Sequence, residues 1–429
     1  MSSSIDYSEY VKEDRVHSRI FTDPLVFEDE LRRIFYRAWV FVGHESEVAQ
    51  AGDYRLKWIG RQSVIMSRDE DGQIHLLMNR CRHRGSAVCQ YEKGNASFFR
   101  CPYHGWTYRN TGELVGATFP DGYDASFAKE GHDLNSVPRV ASYQGFVFGS
   151  MATEGESLED FLGNARPLFD LVIKESPTGK ILVTAGCQKT VFKGNWKYVG
   201  MDGYHINFVH KSVNGLNRRK SMGARAAVGA ENSFSANSPN RTMDLGNGHV
   251  RLDTAVNTGI NYDELIAPRL ATEAGREYVA SLENAYGKDQ VRDILVTARD
   301  PHLGVWPNLQ LINGQIRVIR PLAADLTEVY VYPTLLGDVP EDLNSERLRR
   351  LEWFYGPASF GQPDDSEIFE RNQVGLQCEV DPWVLLARGL AREKILDDGT
   401  IVGHISDEVT QRGQMRAWLR FMQRSEEGQ

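Results

Sequence analysis

Two short loops that each carry one cysteine and one histidine constrain this chain more than any other feature of its sequence. Cys81-Arg82-His83 is followed, after 17 intervening residues, by Cys101-Pro102-Tyr103-His104. Each loop follows a β-like run and turns at a glycine, Gly85 or Gly105, so both are predicted to be hairpin tips. Paired with each other, the loops would bring two thiolates and two imidazoles around a metal centre.

This ligand set suits two kinds of centre. Tetrahedral zinc accepts two thiolates and two imidazoles, and so does a [2Fe–2S] cluster in which two histidines replace two cysteines on one iron. Zinc sites usually pair like with like along the sequence, whereas each loop here supplies one ligand of each type. The mixed pairing favours the Rieske arrangement, with both cysteines on one iron and both histidines on the other.

A second group of candidate ligands begins at Asp202. His205 and His210 are five residues apart, about 140° around a regular helix, so a π-bulge or a helix end must bring both imidazoles to one face. Asp202 and His205 share a face, which places the carboxylate where it could orient an imidazole.

A third ligand is needed, because the facial triad of non-haem iron oxygenases contains two histidines and one carboxylate. The candidate is an acidic pair, Asp364-Asp365, that opens a helix after Gly356-Pro357. Asp364 is expected to cap this helix, and Asp365 is expected to point inward from its first turn.

Both groups resemble those of the Rieske non-haem iron ring-hydroxylating oxygenases, in the large (alpha) catalytic subunit of aromatic-ring dioxygenases. The resemblance is carried by Cys81-x-His83-Arg84-Gly85, by Cys101-Pro102-x-His104-Gly105-Trp106 and by Asp202-x-x-His205-x(4)-His210, and it extends to 304–312, 372–377 and 403–422. One departure is a shorter spacing between Trp196 and Asp202 than many family members have, which bears on the shape of the substrate pocket.

The resemblance implies specific roles for these residues. Cys81, His83, Cys101 and His104 would hold the [2Fe–2S] cluster, and His205, His210 and Asp365 would hold a mononuclear Fe²⁺. Asp202 would bridge His104 of one subunit and His205 of the next, so that electrons cross between subunits. Residues that flank the ligand segments are the candidate pocket lining: Met201, Phe208, Leu216, Trp306, Asn308, Leu311, Phe360 and Phe369.

The predicted fold class is α+β, since helices and strands arrive in blocks and not in βαβ alternation. Residues 1–39 are expected to be an N-terminal helical segment packing on the catalytic domain. Residues 40–152 would form a small antiparallel β Rieske domain, and 153–429 a larger helix-grip catalytic domain with an antiparallel sheet and helices. Apolar spacing further predicts one helix over 27–42, and a β-rich pattern predicts one strand over 308–321.

Composition limits the remaining possibilities. Five cysteines in 429 residues are too few for a disulfide framework, and Cys89, Cys187 and Cys378, which lack nearby histidines, are expected to be buried packing residues. A net charge of −9 argues against nucleic acid as a partner, and a polar N-terminus without any long apolar run predicts a cytoplasmic protein that is not membrane-bound. Arg80, Arg82, Arg84 and Arg100 concentrate positive charge near the cluster, either to steer an acidic electron donor or to pair with acidic groups.

The predicted function is that of a terminal oxygenase that uses O₂ to dihydroxylate a small aromatic substrate, a carboxylate or a hydrocarbon. No G-x-G-x-x-G fingerprint occurs, so NADH is expected to be oxidised by a separate reductase, with or without a ferredoxin. The resemblance implies an α3β3 assembly with a small beta subunit, or an α3 homotrimer. The alternatives are a Rieske monooxygenase or demethylase, a non-catalytic Rieske electron carrier, and a zinc-stabilised binding protein.

Overall fold

A computed structural model of the chain describes residues 5–124, 127, 129–201, 238–254, 262–298, 301–359 and 361–424. The chain divides into two compact units, one made of Met1–Ile34 and Glu159–Gly428 and the other of Phe35–Leu158. The predicted mixture of helices and antiparallel sheets is confirmed. No helix in the described ranges is both long and apolar enough to cross a bilayer.

The unit Phe35–Leu158 is built almost entirely from short antiparallel strands in three sheets. A four-stranded sheet has the order Ile74–Met78, Gln62–Arg68, Asp53–Ile59, Lys93–Asn95. Two three-stranded sheets follow, one of Phe98–Arg100, Thr107–Arg109 and Leu114–Gly116, the other of Arg139–Tyr143, Phe146–Ser150 and Val40–His44. Single 3-10 turns occur at Glu45–Val48, Pro120–Gly122 and Lys129–Gly131.

One apolar cluster forms the centre of this unit, and the cysteines of both ligand loops belong to it. Cys81 and Cys101 are buried together with Tyr108, Trp106 and other members of the cluster. Packing in the core therefore holds the two cysteine side chains in place, whereas the two histidines are only half-buried.

The other unit contains a nine-stranded antiparallel sheet. Its strands, in spatial order, are Gln188–Phe192, Leu326–Pro333, Gln315–Ala323, Leu309–Ile312, Leu303–Val305, His249–Asp253, Arg241–Gly246, Ile401–His404 and Lys394–Ile395. Two small strand pairs accompany it, Arg15–His17 with Trp383–Leu385 and Ile181–Leu182 with Leu335–Leu336.

Helices complete this unit, and the last of them lies against the large sheet. The α-helices are Arg19–Thr22, Pro24–Glu30, Arg166–Ile173, Lys197–Met201, Tyr262–Leu270, Glu273–Tyr286, Lys288–Asp293, Glu341–Tyr355, Gln362–Gly375 and Val409–Met422. Leu158–Leu162 is a further short α-helix, Tyr7–Glu9, Gly163–Ala165 and Leu390–Arg392 are 3-10 turns, and Leu31–Phe35 and Ile294–Ala298 are π-helical turns. The C-terminal helix binds the sheet through Arg416, whose guanidinium lies 3.0 Å from the Asp244 carboxylate.

Two sequence-based elements differ from the structure. The helix predicted over 27–42 ends at Phe35, and Val40–His44 is a fully buried strand, because an apolar run of that length fits a buried strand as well as a helix. The strand predicted over 308–321 is a hairpin that turns at Asn313 and Gly314, both of which have positive φ.

Candidate active site

The first ligand loop is closed by two backbone hydrogen bonds. Cys81 N–H donates to the Ser86 carbonyl at 2.8 Å, and Gly85 N–H donates back to the Cys81 carbonyl at 2.9 Å. Gly85 has φ +78°, a left-handed conformation that favours glycine. This loop is not a hairpin tip, contrary to the sequence prediction, because Ile74–Met78 and Lys93–Asn95 lie at opposite edges of the four-stranded sheet.

The second ligand loop repeats the same backbone pattern. Cys101 N–H donates to the Trp106 carbonyl at 2.7 Å, and Gly105 N–H donates to the Cys101 carbonyl at 3.0 Å. Gly105 has φ +74°, and a Cβ there would lie 2.9 Å from the Thr118 hydroxyl. The loop does connect two paired strands, as the sequence predicted.

The two loops bring their imidazoles side by side. The ring centroids of His83 and His104 are 4.6 Å apart at an interplanar angle of 69°, and Trp106 stacks on His83 at 5.1 Å. His83 Nδ1 is buried and has no hydrogen-bond partner among the described residues. Burial, with the positive charges of His104 and Arg84, lowers the pKa of His83, which favours the neutral form that binds a metal.

The buried thiol of Cys81 lies next to the hydroxyl of Tyr108. The Tyr108 oxygen is 3.3 Å from Cys81 Sγ and accepts a hydrogen bond from Arg82 N–H at 3.1 Å. Because the Tyr108 oxygen accepts the hydrogen bond of the Arg82 amide, the hydroxyl hydrogen of Tyr108 can point at the sulfur. Burial and the hydrogen bond with Cys81 raise the pKa of Tyr108, so the hydroxyl stays protonated.

The arginines around the loops take two kinds of position. Arg82 donates to the Asn135 side chain at 2.7 Å. Arg80 and Arg100 lie close to Gly85 and Gly105 respectively, and with Arg84 they are exposed. None of the four forms an ion pair with any residue in the described ranges.

The remaining cysteines are only partly as predicted. Cys89 is buried in the core of its unit, but Cys187 and Cys378 are exposed, so the prediction that all three are buried was wrong. Cys187 comes just before the strand Gln188–Phe192 and Cys378 follows the helix Gln362–Gly375, positions at which a side chain is not required to pack.

The second group of candidate ligands is described in part. Asp202, His205, His210, Phe208, Leu216 and Phe360 lie outside the described residues. The helix Lys197–Met201, which leads into them, is anchored by a buried carboxylate. Glu30, with no exposed surface, accepts hydrogen bonds from Lys197 Nζ at 2.5 Å, from the Trp196 indole at 2.8 Å and from the Trp418 indole at 2.6 Å.

Asp365 lies in the first turn of the helix Gln362–Gly375, here called the aspartate helix, and is 8% exposed. Asp364 is in the same turn, and the N-cap is Gly361, so the expectation that Asp364 caps the helix was wrong. The helix begins early because Pro363 is well suited to the first turn, where its missing N–H costs no hydrogen bond.

The aspartate helix is joined to the segment that precedes the histidines. Asn195 N–H donates to the Gln373 side-chain oxygen at 3.0 Å, and both side chains donate to the Phe21 carbonyl. Phe369 stacks on Tyr198 at 6.0 Å. The aspartate helix therefore contacts residues 195–198, a few residues before the proposed histidine ligands.

The other predicted pocket residues that are described are all buried. Met201 ends the helix that precedes the histidines, and Trp306 packs on Trp196 at 5.3 Å. Asn308 lies two residues before Gln310, whose side-chain amide donates to the Val199 carbonyl at 2.6 Å. Leu311 alternates with Gln310 along the strand, so its side chain points to the opposite face of the sheet.

Comparison with known proteins identifies the family. Residues 38–138 match the model of the Rieske [2Fe-2S] domain, and residues 181–412 match that of the ring hydroxylating alpha subunit (catalytic domain). The second match alone spans more than half of the chain. The chain belongs to the ring-hydroxylating oxygenase alpha subunits.

Named relatives agree with this assignment. The large subunit of 2-halobenzoate 1,2-dioxygenase from Burkholderia cepacia is 35% identical over 387 residues, which cover 87% of this alpha subunit and 80% of the relative. The anthranilate 1,2-dioxygenase large subunit from Acinetobacter baylyi is 34% identical over 390 residues, with the same coverage. The crystal structure of naphthalene 1,2-dioxygenase from Rhodococcus sp. bound to indole has a TM-score of 0.78 and 29% identity, covering 95% of this chain and 94% of that one.

This alpha subunit is thus an oxidoreductase whose cofactors are a Rieske [2Fe–2S] cluster and a mononuclear iron. The residues of the two loops fit a cluster. Two buried thiols and two adjacent imidazoles supply the two ligands that a Rieske cluster takes on each of its two irons, and the buried His83 Nδ1 has no hydrogen-bond partner among the described residues.

Sequence analysis missed polar residues on the strand that follows the Asn313 turn. Gln315 and Arg317 are 2% and 6% exposed and lie on the same face of the sheet as Gln310. Their spacing of two, in an interior strand that is third in the nine-stranded sheet, is the available signal, because the buried face of an interior strand is normally apolar.

Proposed function

We propose that this alpha subunit is the terminal oxygenase component that dihydroxylates an aromatic carboxylate with O₂. The observation that carries the proposal is the paired loops, which supply two buried thiols and two adjacent imidazoles, one with a free Nδ1. The substrate class is supported by two relatives whose names refer to 2-halobenzoate and anthranilate, both benzoates with a substituent next to the carboxylate.

In this proposal Cys81 and Cys101 hold one iron of the cluster, and His83 and His104 hold the other. When bound, the cluster supplies electrons one at a time, and the mononuclear iron supplies open positions at which O₂ is activated. The protein contributes the His83 imidazole, whose protonation burial opposes by lowering its pKa, and a hydroxyl from Tyr108 next to Cys81 Sγ.

The proposed ligands of the mononuclear iron are His205, His210 and Asp365. Two features support this assignment: Asp365 is buried in the first turn of a helix, and the same helix binds Asn195, just before the histidine segment. We further propose that Asp202 bridges a cluster histidine of one subunit and His205 of the next, within an α3 or α3β3 assembly.

Electrons are proposed to come from NADH through a separate reductase, with or without a ferredoxin. Arg80, Arg84 and Arg100 are exposed around the cluster loops and free of ion pairs with described residues. On a chain with a net charge of −9, such a local positive surface suits an acidic donor protein.

Two measurements test the proposal. The purified protein should show the red-brown absorption of an iron–sulfur cluster and contain about three irons per chain, whereas an electron carrier would contain about two. Reaction with 2-chlorobenzoate or anthranilate under labelled O₂ should give a product that carries two labelled oxygens. A single labelled oxygen would overturn dioxygenation in favour of a monooxygenase.

A further inference from the structure

A face of the large sheet carries three buried polar side chains. In the hairpin of Leu309–Ile312 and Gln315–Ala323, Gln310 lies directly opposite Arg317, so their side chains share one face. Gln315 precedes Arg317 by two residues and points to the same side. Their exposed fractions are 8% for Gln310, 2% for Gln315 and 6% for Arg317.

This face lies against the segment that leads to the proposed histidine ligands. The Gln310 side-chain amide donates to the Val199 carbonyl at 2.6 Å, and Val199 is three residues before Asp202 in the sequence. The guanidinium carbon of Arg317, directly across from Gln310, lies 4.6 Å from the ring centroid of Tyr355. Arg317 is therefore held between the sheet and the end of the helix Glu341–Tyr355.

Tyr355 in turn is close to the start of the aspartate helix. Gly361 N–H donates to the carbonyl of Phe354 at 3.0 Å, so the N-cap of the aspartate helix lies against the end of the preceding helix. Asp365 N–H donates to the Gly361 carbonyl at 3.3 Å. Asp365 is thus one helical turn from Gly361, which is bonded to Phe354, the neighbour of Tyr355. The polar face therefore lies near both segments that carry the proposed iron ligands.

Arg317 has no anionic partner among the described residues. Its Nε and one terminal nitrogen, Nη2, are buried without a hydrogen bond to any residue in the described ranges, and both polar atoms of the Gln315 side chain are unpartnered as well. Arg320, on the same strand and the other face, shows the usual arrangement, since it binds the Glu328 carboxylate at 2.7 Å. A buried guanidinium without a counter-charge is strongly unfavourable, so the site suits an anion that the described part of the chain does not supply.

We propose that Arg317 binds the carboxylate of the aromatic substrate. The Nε and Nη2 edge of a guanidinium is a fork that matches a carboxylate with two parallel hydrogen bonds, and the Tyr355 ring holds the guanidinium plane. The Gln315 amide supplies a further donor to the same anion. This inference rests on the proposed function, because it takes the substrate to be an aromatic acid.

The test measures equilibrium binding of 2-chlorobenzoate to the purified oxygenase by calorimetry, without turnover. Arg317→Met keeps the bulk of the side chain but removes the fork, and it should weaken binding about ten- to a hundredfold. Arg317→Lys keeps the charge without the fork and should give an intermediate loss. Arg320→Lys, the same change three residues away on the opposite face, should bind the acid like the wild type.

A neutral ligand shows whether Arg317→Met weakens binding of the carboxylate specifically or disturbs the pocket as a whole. Binding of benzamide should change less than about threefold in Arg317→Met, since its amide does not need a full counter-charge. The cluster spectrum and the iron content show whether each variant is folded. If Arg317→Met does not assemble, the inference is tested by comparing the binding of the acid to Arg317→Lys and to Arg320→Lys. The inference is overturned if the wild type does not bind the acid, or if both Arg317 variants bind it unchanged. Weakened binding in these variants together with a wild type that forms no dihydroxylated product supports the carboxylate site and overturns the proposed reaction.

Discussion

At the scale of single residues, the hydroxyl of Tyr108 makes the most direct contact with a proposed cluster ligand. Replacement by phenylalanine removes a hydrogen bond to Cys81 Sγ, and such bonds stabilise the more negative, reduced state of a cluster. Tyr108→Phe should therefore lower the reduction potential by about 20–60 mV, the equivalent of one hydrogen bond for a one-electron couple. A spectroelectrochemical titration of the purified protein measures the shift.

Tyr103 provides the matched control for this prediction. It sits between the two proposed ligands of the second loop, but its side chain is 61% exposed. Tyr103→Phe should leave the potential unchanged. Equal shifts in both variants, or none in Tyr108→Phe, would show that the hydroxyl of Tyr108 does not act on the sulfur.

A second residue-scale prediction concerns pH. Burial lowers the pKa of His249 from 6.5 to about 4, and the ring uses both nitrogens when neutral, Nε2 with the Phe161 carbonyl and Nδ1 with Trp306 N–H. The unfolded chain binds the proton below pH 6.5, whereas the folded chain resists it until about pH 4. The contribution of His249 to the free energy of unfolding is therefore fully present above pH 6.5, and about 3 kcal/mol of it is lost as the pH drops towards 4.

Unfolding of the wild type and of His249→Gln by guanidinium, at pH 7.0 and at about pH 5, checks this sign. The variant should be less stable at neutral pH and should lose less of its stability between the two values. His44 in the other unit behaves alike, with a pKa lowered to about 4 by burial, so some acid sensitivity persists in the variant. Equal pH slopes for the two proteins would contradict the assignment to His249.

Sequence analysis identified candidate functional residues where the residues that act together are close in sequence. Cys81 and His83, two apart, are recognisable because a loop of any fold places such neighbours together. Tyr108 and Arg317 were missed, because their partners are distant in sequence, and only strand pairing brings Arg317 to the face that carries Gln310. The exposure of Cys187 was also mispredicted, since burial depends on tertiary packing and not on residue type alone.

At the scale of elements, the N-terminal segment fixes the helix that precedes the proposed histidine ligands of the iron. Glu30 and Lys197 form a fully buried ion pair, and two indoles also donate to this carboxylate. Burial lowers the pKa of Lys197, and Glu30 opposes that shift by stabilising the ammonium. Glu30→Gln leaves the ammonium buried without a counter-charge and should reduce the free energy of unfolding by about 3–5 kcal/mol.

Guanidinium unfolding followed by tryptophan fluorescence measures this loss, because Trp196 and Trp418 contact the site. Glu367→Gln on the aspartate helix is the control, since its partner Arg371 is on the surface and such pairs contribute about 0.3–0.5 kcal/mol. Iron analysis of Glu30→Gln should also show less mononuclear iron with an unchanged cluster spectrum. Wild-type stability in Glu30→Gln would contradict the role given to this ion pair.

Elements were predicted well where their ends carry a clear signal and poorly where two structures suit the same pattern. The helix Glu341–Tyr355 stops at Gly356-Pro357, the pair that the sequence analysis took as a boundary before the next helix. The run Val40–His44 is buried at every position, and its pattern suits a helix as well as a strand. Its pairing with Phe146–Ser150 selects the extended form. The start of the aspartate helix was displaced by three residues since Pro363 can occupy its first turn.

At the scale of the whole molecule, the proposed route of electrons decides which variants complement each other. A subunit with His104→Ala lacks a proposed cluster ligand, and one with Asp365→Ala lacks a proposed iron ligand. If electrons cross between neighbouring subunits of a closed ring, a mixed assembly contains interfaces at which an intact cluster faces an intact iron site. Random mixing at equal amounts makes about one quarter of the interfaces competent.

Co-expression of the two variants with different affinity tags, followed by tandem purification, isolates such mixed assemblies. Each variant alone should be inactive. The tandem-purified mixed trimers should recover about a third of the wild-type turnover for 2-chlorobenzoate, because purification removes the trimers of a single variant and each remaining trimer has one competent interface out of three. Adding Asp202→Ala to the His104→Ala subunit removes the proposed bridge from the chain whose iron site is intact, and activity should then disappear while iron content persists. Zero recovery in mixtures that retain both metals would instead place the whole route within one chain.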